Sequence, residues 1–113
     1  DFILRHIDSI TQLEALLLLR ANSEKRWDVP PVAARLYSSE DETREVLTRL
    51  NADGLLSHEE GRYRYSTSGE MQTLVDRTAE VYRRHLIPVT NVIHAKSPRI
   101  REFANAFKFR KDK

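Results

Sequence analysis

The sequence predicts a mostly α-helical domain carrying one small β-hairpin, and three stretches point to it. Val46, Leu47 and Leu50 fall at helical spacing, Asp53-Gly54 supplies a stop, and Leu55-Leu56 begins an apolar strand at once. Gly61 then offers a turn, followed by Arg62-Tyr63-Arg64-Tyr65-Ser66, whose alternation is that of a strand with one buried face. Finally, Ser9 with Gln12 and Thr67 with Glu70 have capping-box spacing, opening a helix on each side of this unit.

Taken in order, residues 9–21 form the first expected helix, with Ile10, Leu13, Leu16 and Leu17 on one face and Leu18 and Leu19 widening it toward a second contact. Residues 22–25 are a polar turn, and Trp27 beyond them is placed to pack under the hairpin as a short strand residue. Asp28 is positioned to cap a second helix over residues 29–37. Its first turn tolerates Pro30 and Pro31 because those amides would lack helical partners anyway, and Val32, Ala33 and Leu36 point inward. Ser38-Ser39 turns the chain and caps a third helix that begins with Glu40, Asp41 and Glu42. The hairpin follows as residues 55–58, a turn through Glu59-Glu60-Gly61, and residues 62–66. Tyr63 and Tyr65 share one of its faces, Arg62 and Arg64 the other.

After Thr67 a long fourth helix carries Met71, Val75, Thr78, Tyr82, His85, Val89 and Val92 at alternating four- and three-residue steps, flanked by Leu74, Val81, Leu86 and Ile93. Pro88 lies inside this run and is expected to break it near residues 84–87. Ser97-Pro98 restarts a helix whose stripe is Ile100, Phe103, Ala104 and Phe107, and residues 108–113 end the chain as a basic tail. We therefore divide the chain into residues 1–68 and residues 69–113, two parts of one folding unit.

The 113 residues leave room for one core. At 40% hydrophobic and 32% charged the composition is that of a globular chain, and no apolar run nears the roughly 18 residues that cross a membrane. The first ten residues hold Arg5, His6 and Asp8 with no long apolar stretch, so no leader is expected, and the start at Asp1 rather than Met suggests that a few native residues precede it. Cysteine is absent, which excludes a disulfide frame and Cys-based chemistry and suits a cytoplasmic setting. The net charge of +2 is small, but it is polarised: residues 38–60 hold seven acids against two arginines, and residues 96–113 hold seven bases against two acids.

The run Arg49-Leu50-Asn51-Ala52-Asp53-Gly54-Leu55-Leu56 is similar to the "RLEADGLL" segment that closes the recognition helix and enters the wing in bacterial winged helix-turn-helix regulators. With the element order across residues 9–67, the chain resembles that family, and the helices beyond resemble the dimerisation helices of MarR-like repressors. The resemblance implies a winged helix-turn-helix that reads duplex DNA, with C-terminal helices for dimerisation. Residues 38–50 would be the reading helix with its turn. Ser39 and Thr43 would then lie nearest the base edges, with Arg44, Arg62 and Arg64 on the backbone. The sequence departs from this in chemistry. Glu40, Asp41 and Glu42 in the first turn stabilise a helix start by roughly 0.3–1 kcal/mol each, yet together with Glu45 they repel a polyanion. A second reading stays open: a winged module that binds a basic protein through its acidic third helix.

Other sites have less behind them. His6, His58, His85 and His94 show no metal-ligand spacing, three glycines give no phosphate loop, and no serine stands in a nucleophile elbow, so neither an enzyme nor a cofactor or metal is expected. Arg62 and Arg64 are either backbone contacts or the solvated face of a strand. The seam after Met71 is either a homodimer interface, running through residues 71–107, or a face packed on the chain's own first helix; the homodimer is favoured. Phe103, Phe107 and Phe109 are expected to pack in the same assembly, and the basic tail is a possible phosphate-contacting arm.

Overall fold

The computed structural model describes residues 2–96. The expected restart at Ser97-Pro98, the stripe from Ile100 to Phe107 and the basic tail lie outside the described residues. The elements are α1 (Phe2–His6), α2 (Ile10–Ala21), α3 (Val29–Leu36), α4 (Glu40–Ala52), β1 (Leu56–Glu59), β2 (Arg62–Tyr65), α5 (Gly69–Arg84) and α6 (Leu86–Lys96). The fold is thus mostly helical with one antiparallel hairpin, as the sequence predicts. Among the described residues no helix is long and apolar enough to cross a membrane.

Helix α1 is not foreseen by the sequence pattern. Five residues cannot sustain a helix by propensity, and this one is held by burial of Phe2, Ile3 and the following Ile7 in the common core. Gln12 ties it to α2. The Gln12 side-chain amide donates to the His6 carbonyl at 2.8 Å and accepts from the Asp8 N–H at 2.8 Å. Ser9 caps α2 as expected, accepting from the Gln12 N–H at 3.0 Å, but the glutamine answers to the amide of Asp8 rather than that of Ser9.

Two helix ends set the path of the central unit. At the end of α4, Leu55 N–H bonds Leu50 carbonyl and Gly54 N–H bonds Asn51 carbonyl, both at 3.0 Å, with Gly54 at φ +80°. This is a Schellman closure. Leu50 and Leu55 are both fully buried at its apolar contact, which aims the chain straight into β1. The end of α3 repeats the pattern through Ser38 N–H to Ala33 carbonyl and Tyr37 N–H to Ala34 carbonyl, with Tyr37 in the left-handed position. Asp28 occupies the N-cap position of α3 but makes no side-chain cap bond there.

The hairpin pairs Leu56 with Tyr65, Ser57 with Arg64, His58 with Tyr63 and Glu59 with Arg62. Its turn is tighter than expected: only Glu60 and Gly61 lie in it, both at positive φ, the geometry that matches the twist of two paired strands. Trp27 joins this sheet. Its N–H and carbonyl exchange bonds with Tyr63 at 2.7 and 2.8 Å, and its ring is buried beneath the hairpin.

The long C-terminal run breaks at His85, and Pro88 falls in the first turn of α6, where its missing N–H costs little. Its start differs from expectation. Helix α5 opens at Gly69 after Ser68, and Thr67, instead of capping, donates to the Tyr65 hydroxyl at 2.7 Å. Val75, Thr78, Val89 and Ile93 are buried with the rest of the chain, and one continuous cluster of buried side chains runs from Phe2 to Ile93.

Thr43 corrects one site expectation. It stands four residues before Leu47 and seven before Leu50, on the inward stripe of α4, and is 0% exposed rather than near any base edge. Among the described residues its hydroxyl has no hydrogen-bond partner. Since an unsatisfied buried hydroxyl costs about 1 kcal/mol or more, the isosteric Thr43→Val should raise stability by about 1 kcal/mol, roughly 4 °C in Tm for a domain of this size. Thermal denaturation checks this, and a fall in Tm would show that the hydroxyl is bonded.

Candidate nucleic-acid interface

Alternation about Trp27 builds the basic surface of the hairpin. With Trp27 turned inward beside Tyr63, its neighbours Arg26 and Asp28 are exposed, as are Arg62 and Arg64 on the strand residues that alternate with Tyr63 and Tyr65. Arg26, Ser57, Glu59, Arg62 and Arg64 line a shallow depression of about 140 Å³. Arg62 Nε lies 3.4 Å from Asp28, and an Arg26 guanidinium nitrogen lies 4.0 Å from Glu59. Arg64 Nε donates to the Ser23 carbonyl at 3.0 Å, and among the described residues no carboxylate pairs with Arg64. Three cations therefore face two carboxylates. Exposed ion pairs of this kind contribute about 0–1 kcal/mol, so an incoming anion exchanges for them at little cost.

Arg26 is the member of this group that sequence reasoning missed. Its signal was the period-two alternation around a tryptophan already expected to lie under the hairpin. Lys25 adds to the basic surroundings, its ammonium 4.1 Å above the Trp27 ring, with the Arg35 guanidinium 5.8 Å from the same ring.

Helix α4 presents different chemistry. Its exposed polar residues are Glu40, Asp41, Arg44, Glu45, Thr48 and Arg49. Ser39 is exposed, and its hydroxyl oxygen serves the cap, accepting from the Glu42 N–H at 3.1 Å. The Ser38 hydroxyl donates to Glu42 at 2.7 Å. Arg44 pairs with Asp41 at 3.2 Å, and Arg49 with Asp8 at 3.1 Å. Of the five expected contact residues, the structure brings Arg62 and Arg64 together. Among the described residues, no hydrogen bond, ion pair or shared depression joins Ser39, Thr43 or Arg44 to them.

The remaining chemistry is sparse. Among the described residues no group of three His, Cys, Asp or Glu side chains could hold a metal. His58 stacks on Tyr63 at 4.2 Å, and His6 lies 3.5 Å from Asp53. At the end of α5, Arg83 and Arg84 both lean on Glu80. The Arg83 hydrogen bond, helped by the charge of Arg84, holds that carboxyl below its ordinary range. An apolar recess of about 560 Å³ lies between α1, α5 and α6, with Phe2, Ile3, Leu74, Val81, Pro88 and Val92 in its lining. Leu86 and Ile87, also exposed, stand at the start of α6. No family model, curated protein or solved structure matches this chain.

Proposed function

We propose that the chain is a winged helix-turn-helix regulator of transcription, acting in the cytoplasm and holding duplex DNA chiefly by its phosphates. In this reading α3 and α4 form the helix-turn-helix, and the hairpin is the wing. The observation that carries it is the arginine face of the hairpin, where Arg26, Arg62 and Arg64 converge on one shallow depression, with exposed carboxylates and the Ser23 carbonyl competing for them. Lys and Arg on phosphates supply essentially all non-specific DNA affinity, so such a face suits a duplex backbone. Arg44 adds a fourth cation from α4. Base reading falls to what α4 leaves exposed, and Thr43 takes no part.

Dimerisation through the C-terminal helices belongs to the same proposal. Val81, Leu86, Ile87 and Val92 stay exposed beside the apolar recess, which is the surface a second copy would cover. Paired copies would present two arginine faces to one duplex.

The test is fluorescence anisotropy of a labelled duplex titrated with the full chain over a range of salt. Binding through about four phosphates gives a slope of log affinity against log salt near −3.6, and the double substitution Arg62→Ala, Arg64→Ala should bring it to about −1.8. Absence of salt-dependent binding to any duplex at low ionic strength would overturn the proposal.

One observation favours a second reading, a winged module for a basic protein partner: Glu40, Asp41 and Glu45 are exposed at the start of α4 while Arg44 is tied to Asp41. Reversing Glu40, Asp41 and Glu42 to lysine separates the two. Under the first reading the triple variant binds duplex more tightly than the native chain. Under the second it gains nothing on DNA and loses capture of the basic partner.

A further inference from the structure

The turn between α3 and α4 holds a residue that neither packing nor backbone geometry accounts for. Tyr37 occupies the left-handed position of the Schellman closure at φ 54°, ψ 44°. Glycine takes that position without steric cost, whereas any side chain with a Cβ is strained there, and a bulky ring is an uncommon choice. The ring gains nothing inside the chain in return, since Tyr37 is 98% exposed, the most exposed of the large hydrophobic residues. Among the described residues its hydroxyl has no hydrogen-bond partner.

The surroundings narrow what the side chain can serve. The Ser38 hydroxyl is spent donating to Glu42, the short Ser39 hydroxyl is held at the cap by the Glu42 N–H that it accepts, Thr43 is buried, and Glu40 and Asp41 can only accept. Tyr37 therefore carries the farthest-reaching side-chain donor left uncommitted between residues 37 and 43. It is also neutral, so it can approach an anion at a corner where carboxylates crowd. Tyrosine hydroxyls are among the ordinary donors to DNA phosphates, and such contacts position a protein on the duplex without reading its sequence.

We infer that Tyr37 is a phosphate anchor, its hydroxyl donating to a backbone oxygen of the duplex where α3 turns into α4. The inference rests on the DNA-binding reading and extends it: a neutral donor, not a cation, holds the backbone beside the acidic start of the proposed reading helix.

Two variants of the full chain test it, Tyr37→Phe and Tyr37→Gly, each titrated against two labelled duplexes of unrelated sequence and each melted without DNA. Tyr37→Phe keeps the ring and the strain but removes the donor; it should lose about fivefold in affinity on both duplexes with an unchanged Tm. Tyr37→Gly should lose at least as much affinity while melting at a higher temperature than the native chain, because the strain is relieved. If Tyr37→Phe binds as the native chain does, or loses affinity on one sequence only, the phosphate contact is refuted and DNA binding stands. A lower Tm for Tyr37→Gly would show that the ring supports the fold, and would refute the inference too. If the native chain binds neither duplex, the DNA reading fails at its root and this contact with it.

Discussion

A two-stranded hairpin has too little buried surface to stand in water on its own, so this one must be fastened to the helices, and Trp27 is the fastening. Its backbone exchanges two hydrogen bonds with Tyr63, making a one-residue third strand, while its ring fills the space beneath the sheet. Burying a large aromatic contributes on the order of 1.5–3 kcal/mol and leaves no room for the sheet to slide. The inward turn of that ring decides which residues are left outside. Arg26 and Asp28 flank Trp27, Arg62 and Arg64 flank Tyr63, and the basic face follows from where the tryptophan points.

The electrostatic pattern then divides into two surfaces of opposite character. On the hairpin, arginines are gathered and held loosely by exposed carboxylates and a backbone carbonyl. At the start of α4, acids complement the helix dipole and the one nearby arginine is neutralised by its own neighbour. The same acids that favour the helix weaken its claim on a polyanion. Under the proposed DNA-binding reading, a duplex would gain from the hairpin and meet the helix tip through an uncharged donor, Tyr37.

Much of this was legible in the residues. The Asp53-Gly54 stop, the alternation of Arg62 to Tyr65, the place of Trp27 and the break before Pro88 are local rules, and the structure follows them. What failed to show was of two kinds. Helix α1 exists only because Phe2, Ile3 and Ile7 meet side chains some seventy residues away, and no local pattern announces such contacts. The positions of Thr43 and Arg26 were legible in principle. Thr43 shares the helical phase of Leu47 and Leu50, and Arg26 the strand phase set by Trp27; the family resemblance put Thr43 outside and left Arg26 unmentioned. Ser39 and Asp28 show a further limit, since either hydroxyl or carboxylate fits a cap in sequence, yet only Ser39 makes the bond while Asp28 turns to Arg62.

The claim on which the account turns is that Trp27 and Tyr63 bind hairpin and helices into one cooperative unit, and native-state amide hydrogen exchange tests it directly. The account predicts that the Trp27 and Tyr63 amides exchange only through global unfolding, with protection matching that of Leu16 and Leu50 in the buried helices. Exchange of those two amides at the rate of a fraying strand, while α2 and α4 remain protected, would contradict it. The hairpin would then be a loosely attached flap whose arginines hold no fixed relation to the helices.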